Sequence, residues 1–228
     1  MARMLTERDS TALHLNASRR HVRLLRRSRR EEMITGIDPL IADLQHKQQL
    51  SEDRALDTQA AYDALVASDA ELDDAVRNLH DAGKQHDRSN PTSPALPDLF
   101  PNGGFGTLID LPLKDEPDNV DALAKKLELL GPDHNLAPHA AKLRAGAQAV
   151  RDAIKLHNDA IRVQKSAEAE EDIAKSALRR KYEANYLDGR KLWGRVFADR
   201  LFPDLRAPKR PSADAPSVVK GSFAEKSA

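Results

Sequence analysis

The chain has 228 residues and a mass of 25.2 kDa, with 36 Lys and Arg balanced by 36 Asp and Glu, and it contains no Cys. Disulfide scaffolds, cysteine nucleophiles and thiolate metal sites are excluded together, and a net charge of zero leaves attraction to charged partners to local patches. Only nine side chains are aromatic while 32% are charged, the mix of long surface helices rather than of a compact mixed-sheet enzyme.

The opening residues, Met1 to Ser10, are charged and lack an apolar stretch of signal-peptide type, and no run of 18 apolar residues occurs anywhere. The expectation is a soluble, cytoplasmic protein. From about Thr6 to Ile34 the composition predicts a first helix, ended by Gly36 and Pro39. On it Arg19, Arg20, Arg23, Arg26, Arg27 and Arg30 follow the spacing i, i+1, i+4, i+7, i+8 and i+11 and so share one face, with Val22, Leu25 and Met33 on another. Six guanidinium groups this close repel unless acids or phosphates answer them, and Arg suits bidentate phosphate contact. This face is the candidate polyanion-binding site.

Between Pro39 and Pro91 there is no further Pro and one Gly, Gly83. Ile41, Leu44, Ala55, Tyr62, Leu65, Leu72, Val76 and Leu79 fall on one seam with steps of three and four, interrupted by Gln48, Ser51, Thr58 and Asp69. A long helix with an imperfect packing seam is predicted, with the polar stretch His46 to Asp53 as a candidate turn. Residues 89–118 are rich in Pro, Gly and Asn yet carry Leu99, Phe100, Phe105, Leu108, Ile109, Leu111 and Leu113. Such a long apolar loop either covers the end of a bundle or serves as an interaction or membrane loop, with Phe100, Phe105, Leu108 and Ile109 as its candidate contacts. Its Gly103-Gly104-Phe105-Gly106-Thr107 run lacks the Lys of a phosphate-binding loop.

A short helix is predicted from about Asn119 to Leu130, capped by Asp118 and stopped by Gly131-Pro132. Pro138 to Pro203 repeats the pattern of the first long region, with Leu143, Ala147, Val150, Ile154 and Ile161 on one seam and Leu178, Tyr182, Tyr186, Trp193 and Phe197 on another. Unbroken, it would run about 100 Å at 1.5 Å per residue; the polar stretch Gln164 to Asp172 is a candidate turn. Leu99-Phe100-Pro101 and Leu201-Phe202-Pro203 each follow a long region, which coincidence and the tendency of Pro to follow a helix end explain more readily than duplication of a helical unit. Residues 206–228 read as a disordered tail.

Charge is uneven along the chain: +5 over residues 1–35, −7 over 36–90, −5 over 91–135 and +7 over 136–228. Eight His supply no ExxH pair, so a di-iron bundle is rejected and neither cofactor nor metal is expected. These features define an all-α protein, an elongated, coiled-coil-like antiparallel helical bundle of about four segments. A first helical unit (1–88) and a second (119–205) pack into one domain around the loop at 89–118. The expected function is non-enzymatic: a structural or protein-protein interaction bundle whose partner is another helical protein or a second copy as homo-oligomer. A nucleic-acid-associated protein using the Arg face is the second reading. A membrane-active bundle using the loop is the third, and membrane binding is disfavoured because the first helix carries no Trp or Phe on its apolar side.

Overall fold

The structure, a computed structural model, describes residues 4–101 and 104–203. All regular structure among these residues is helical, with no strand, as the composition predicts. Six α-helices follow one another: α1 (Thr11–Arg27), α2 (Asp38–Ser89), α3 (Leu96–Leu99), α4 (Gly106–Ile109), α5 (Glu116–Leu129) and α6 (Pro138–Leu201). The chain divides into two compact units, one made of Met1–Pro39 with Leu178–Ala228 and the other of Leu40–Ala177. Residues 206–228, expected as a disordered tail, lie outside the described residues.

In the first unit, α1 begins where the Ser10 hydroxyl accepts the backbone N–H of Leu13 at 3.3 Å, an N-cap. It stops earlier than composition predicts, at Arg27 rather than near Ile34. Arg29 takes a left-handed φ of 54°, the conformation that ends many helices, here without the Gly that adopts it at no steric cost. A short 3₁₀ turn, Glu31–Met33, follows. His14, Leu15, Ala17, Ser18, His21, Val22 and Leu25 form the buried side of α1. Met33, Ile34, Ile37, Leu178, Tyr182, Ala198, Leu201 and Phe202 are buried in the same unit, and the His21 ring of α1 lies 5.4 Å from the Tyr182 ring and 4.0 Å from the Phe202 ring.

That last group depends on one residue. Gly194 interrupts α6 with φ 79° and ψ 167°, a region open essentially only to Gly. The chain turns back there. Tyr186 donates its hydroxyl to Asp199 at 2.9 Å, although 13 residues of straight helix would separate them by about 20 Å. Phe202 thereby returns to lie 4.9 Å from the Tyr182 ring and 5.2 Å from the Tyr186 ring. The predicted aromatic seam from Leu178 to Phe197 is therefore not one face of one helix: Phe197 lies beyond the reversal.

In the second unit, α2 and α6 run antiparallel. Lys47 pairs with Glu170, the Tyr62 ring lies 5.5 Å from the His157 ring, and Leu72 sits against Gly146, so rising numbers on α2 meet falling numbers on α6. Neither candidate turn exists, and both polar stretches are helical. Gln48–Glu52, Gln49–Asp53 and Gln164–Glu168 hydrogen bonds, at 2.8 to 2.9 Å and i, i+4 spacing, brace them. Leu65, Leu72, Val76 and Leu79 of α2 pack with Val120, Leu123 and Leu127 of α5 and with Leu143, Ala147 and Val150 of α6.

The segment predicted as a loop contains α3 and α4. Asp87 accepts the backbone N–H of Ala95 at 2.7 Å, which ties the end of α2 to the start of α3. Helix α5 starts at Glu116, not Asn119, so Asp118 lies in its first turn rather than capping it. There Asp118 receives Arg151 at 2.6 Å while Asp121 receives the same guanidinium at 2.7 Å, fastening α5 to α6. Gly131, at φ 92°, ends the helix as its sequence suggests.

Candidate functional site

The five Arg of α1 proper lie opposite its buried side. With 100° per residue, the buried side spans His14 to Leu25 while Arg19, Arg20, Arg23, Arg26 and Arg27 centre on the far face. The exposed residues of α1 are Ala12, Asn16, Arg20, Arg23, Arg26 and Arg27, with Arg19 half-buried. Arg26 pairs with Asp38 at 3.0 Å, both groups well exposed. Four like-charged pairs stand at i, i+3 or i, i+4 (19 with 23, 20 with 23, 23 with 26, 23 with 27), each costing a few tenths of a kcal/mol.

Arg30 departs from expectation. It follows the end of α1, and its guanidinium lies 4.6 Å from the Trp193 ring centre and 5.8 Å from that of Phe197, a cation–π arrangement. It therefore leaves the set of six, which the helix boundary reduces to five. Arg190 lies similarly over Tyr186, at 5.8 Å.

Charge follows the compact units more sharply than it follows the sequence. Among the described residues, the first unit holds 15 Lys and Arg against 8 Asp and Glu, a net +7. The second holds 15 against 25, a net −10.

Beneath the Arg face lies a buried polar tie that sequence reasoning did not find. The His21 Nδ1–H donates to the Leu201 carbonyl at 2.7 Å, which leaves Nε2 to accept from the Asn185 amide at 3.3 Å. That amide also donates to the Met33 carbonyl at 3.2 Å. The His21 ring stacks on Phe202 at 4.0 Å. Burial outweighs the backbone hydrogen bond and lowers the His21 pKa to about 4, so the ring is neutral and holds three segments of the first unit together. Tyr182, buried beside it, has its phenol pKa pushed up by desolvation.

The four loop residues do not form a free tongue. Phe100 is buried in the core of the second unit, and Phe105, Leu108 and Ile109 pack half-buried against it. His80 meets the edges of Phe100 and Phe105 at 5.3 and 5.0 Å. An open pocket of about 320 Å³ adjoins them, lined by Leu99, Phe100, Leu108, Leu111 and Leu123 together with Thr107, Asn119 and Lys126, whose ammonium donates to the Asp98 carbonyl at 3.1 Å.

A second unpredicted cluster joins α2 and α5. Glu116 is 1% exposed, and its pKa is raised well above the usual carboxylate range, first by burial and then by Asp69 and Asp73. Asp69 was visible as a polar interruption of the α2 seam, with Asp73 one turn on; nothing in the sequence brought Glu116 to them. Among the described residues no group of His, Asp and Glu has the arrangement to hold a metal ion, and no helix is long and apolar enough to cross a membrane. Comparison with protein-family models, with curated proteins and with solved structures gives no match. Function is therefore read from this chain's own geometry.

Proposed function

We propose that the protein is a non-enzymatic interaction protein, an antiparallel coiled-coil bundle whose long helices α2 and α6 receive another helical protein or a second copy. One observation carries the reading. Between Leu44 and Ala61, α2 buries no side chain, and between Ala153 and Ala174, α6 buries only Ala167. Along and beside this thin stretch Leu56 and Ile173 are 70% and 71% exposed, and Tyr62, Val66, Leu156 and Val163 are also exposed. The α2 seam is polar there at Ser51 and Thr58. Isolated exposed aliphatics are ordinary on protein surfaces, but six large ones gathered on one two-helix stretch suit added helices that complete a bundle. Half-burying them would contribute on the order of 6 kcal/mol before the costs of association.

Light scattering on the full chain tests this. Self-association gives a mass well above 25.2 kDa, and Leu56→Gln with Ile173→Gln lowers it without lowering the melting temperature, since both side chains are exposed in the monomer. A mass of one chain at every concentration removes the second copy as partner. A crosslinking partner screen that the double variant leaves unchanged refutes the reading entirely.

A further inference from the structure

We propose that the outward face of α1 binds the phosphodiester backbone of duplex nucleic acid without sequence preference, with Arg19, Arg20, Arg23, Arg26 and Arg27 contacting phosphates. The proposal stands on a different unit and different residues from the helical docking proposed above. Its first support is presentation. The opposite side of α1 is buried through Leu15, Val22 and Leu25 and fixed by the His21–Leu201 and His21–Asn185 hydrogen bonds, so the Arg face is held outward on a rigid element.

Its second support is chemistry. The first 46 residues contain nine Arg and no Lys. A choice of guanidinium alone matches the planar, two-pronged contact that phosphate oxygens accept, which an ammonium group cannot make. Eight residues separate Arg19 from Arg27, about 12 Å along the helix, and that length of duplex carries roughly seven phosphates. The surrounding unit, at +7 over its described residues, adds a field of the same sign.

Competing occupants fit less well. A basic amphipathic helix that lies on an anionic membrane inserts its apolar side, whereas here that side forms the core of the first unit. An acidic protein surface would need apolar anchors at the centre of its contact, yet the exposed positions of α1 are Ala12, Asn16 and four Arg, with Leu13 and Leu24 half-buried. A backbone of phosphates requires no such anchor.

The test is fluorescence anisotropy with a labelled mixed-sequence 30-base-pair DNA and the full chain, over 20 to 200 mM salt. Four to five phosphate contacts predict binding whose logarithm falls with the logarithm of salt at a slope of about −4. Arg20→Gln with Arg23→Gln and Arg27→Gln should weaken binding more than tenfold at low salt and flatten the slope to about −1, with the circular dichroism spectrum retained. Arg54→Gln with Arg162→Gln, exposed on the second unit, should leave both unchanged. Trp193, the only Trp and part of the first unit, gives an independent fluorescence readout. Absence of binding at 20 mM salt overturns the proposal, as does binding that survives the triple substitution. So does binding to vesicles of phosphatidylglycerol and phosphatidylcholine with none to the duplex. None of these outcomes bears on the mass measured by light scattering, so the two proposals fail separately.

Discussion

Acidification should weaken the first unit through a single imidazole. His21 is wholly buried, its Nδ1–H spent on the Leu201 carbonyl and its Nε2 accepting from Asn185. A proton on Nε2 would set two donors against each other in a buried site. The native state therefore resists protonation down to about pH 4, while the unfolded chain takes up the proton near the ordinary imidazole value of 6.5. A base with a lowered native pKa contributes stability that is complete above the unfolded value and is lost as pH falls towards the folded one. Over the whole interval of about 2.5 units the loss is about 3 kcal/mol, and at pH 5 it has reached about 2 kcal/mol.

The assay is urea unfolding at pH 8, 7, 6 and 5, followed by the fluorescence of Trp193. His21→Leu lowers stability at every pH, because it leaves Asn185 and the Leu201 carbonyl without their partner, by about 1 to 3 kcal/mol. What it must also do is remove most of the decline between pH 8 and pH 5. If wild type and His21→Leu lose stability in parallel, the neutral buried imidazole is not the cause and the reasoning fails.

Glu116 works in the opposite sense: its raised pKa means that the native state keeps a proton the unfolded chain would release, so its contribution is lost as pH rises. Glu116→Gln, which keeps the neutral shape, should raise the urea midpoint above neutral pH, with hydrogen exchange across α5 as the local readout. Gly194→Ala should destabilise the first unit by about 1 to 3 kcal/mol, through backbone strain alone, since a Cβ there meets nothing within 4 Å; an unchanged melting temperature would deny that the reversal depends on this φ. Arg29→Gly should stabilise α1 by up to about 1 kcal/mol in thermal melts, because Gly enters the left-handed region at no steric cost.

Helix content was legible because periodicity is local. Of the α2 seam from Ile41 to Leu79, Ile41, Leu44, Leu65, Leu72, Val76 and Leu79 are buried, whereas Ala55 and Tyr62, in the middle of the helix, are exposed. Helix ends were less legible. Nothing near Arg29 announces a stop, since a left-handed Arg is unfavourable by itself and persists only because Met33, Ile34 and Ile37 pack back on α1. The candidate turns at His46 to Asp53 and Gln164 to Asp172 were suggested by low hydrophobicity, which Gln-to-acid braces at i, i+4 offset without any buried group. Gly194 had the opposite fault: a single Gly among charged residues reads as tolerable inside a helix, and only the return of Phe202 to Tyr182 reveals that it is the hinge of a reversal.

The candidate site divides along the same line. The Arg face could be counted from spacing because its members lie within three turns of one helix, and the structure removes only Arg30, whose place depends on Trp193, more than 160 residues away. The polar tie at His21 and the carboxylates at Glu116 join residues separated by 164 and by more than 40 positions, and one chain's pattern holds no record of such meetings. Charge shows the difference most plainly. Along the chain it reads as basic ends around an acidic middle, which antiparallel pairing of a basic helix on an acidic one would neutralise. Folding instead brings the two basic ends into one unit, with the acidic stretches gathered in the other. Among the described residues of the first unit the neutralisation is thus incomplete by seven charges, and an anionic ligand is the physical answer that such an excess invites.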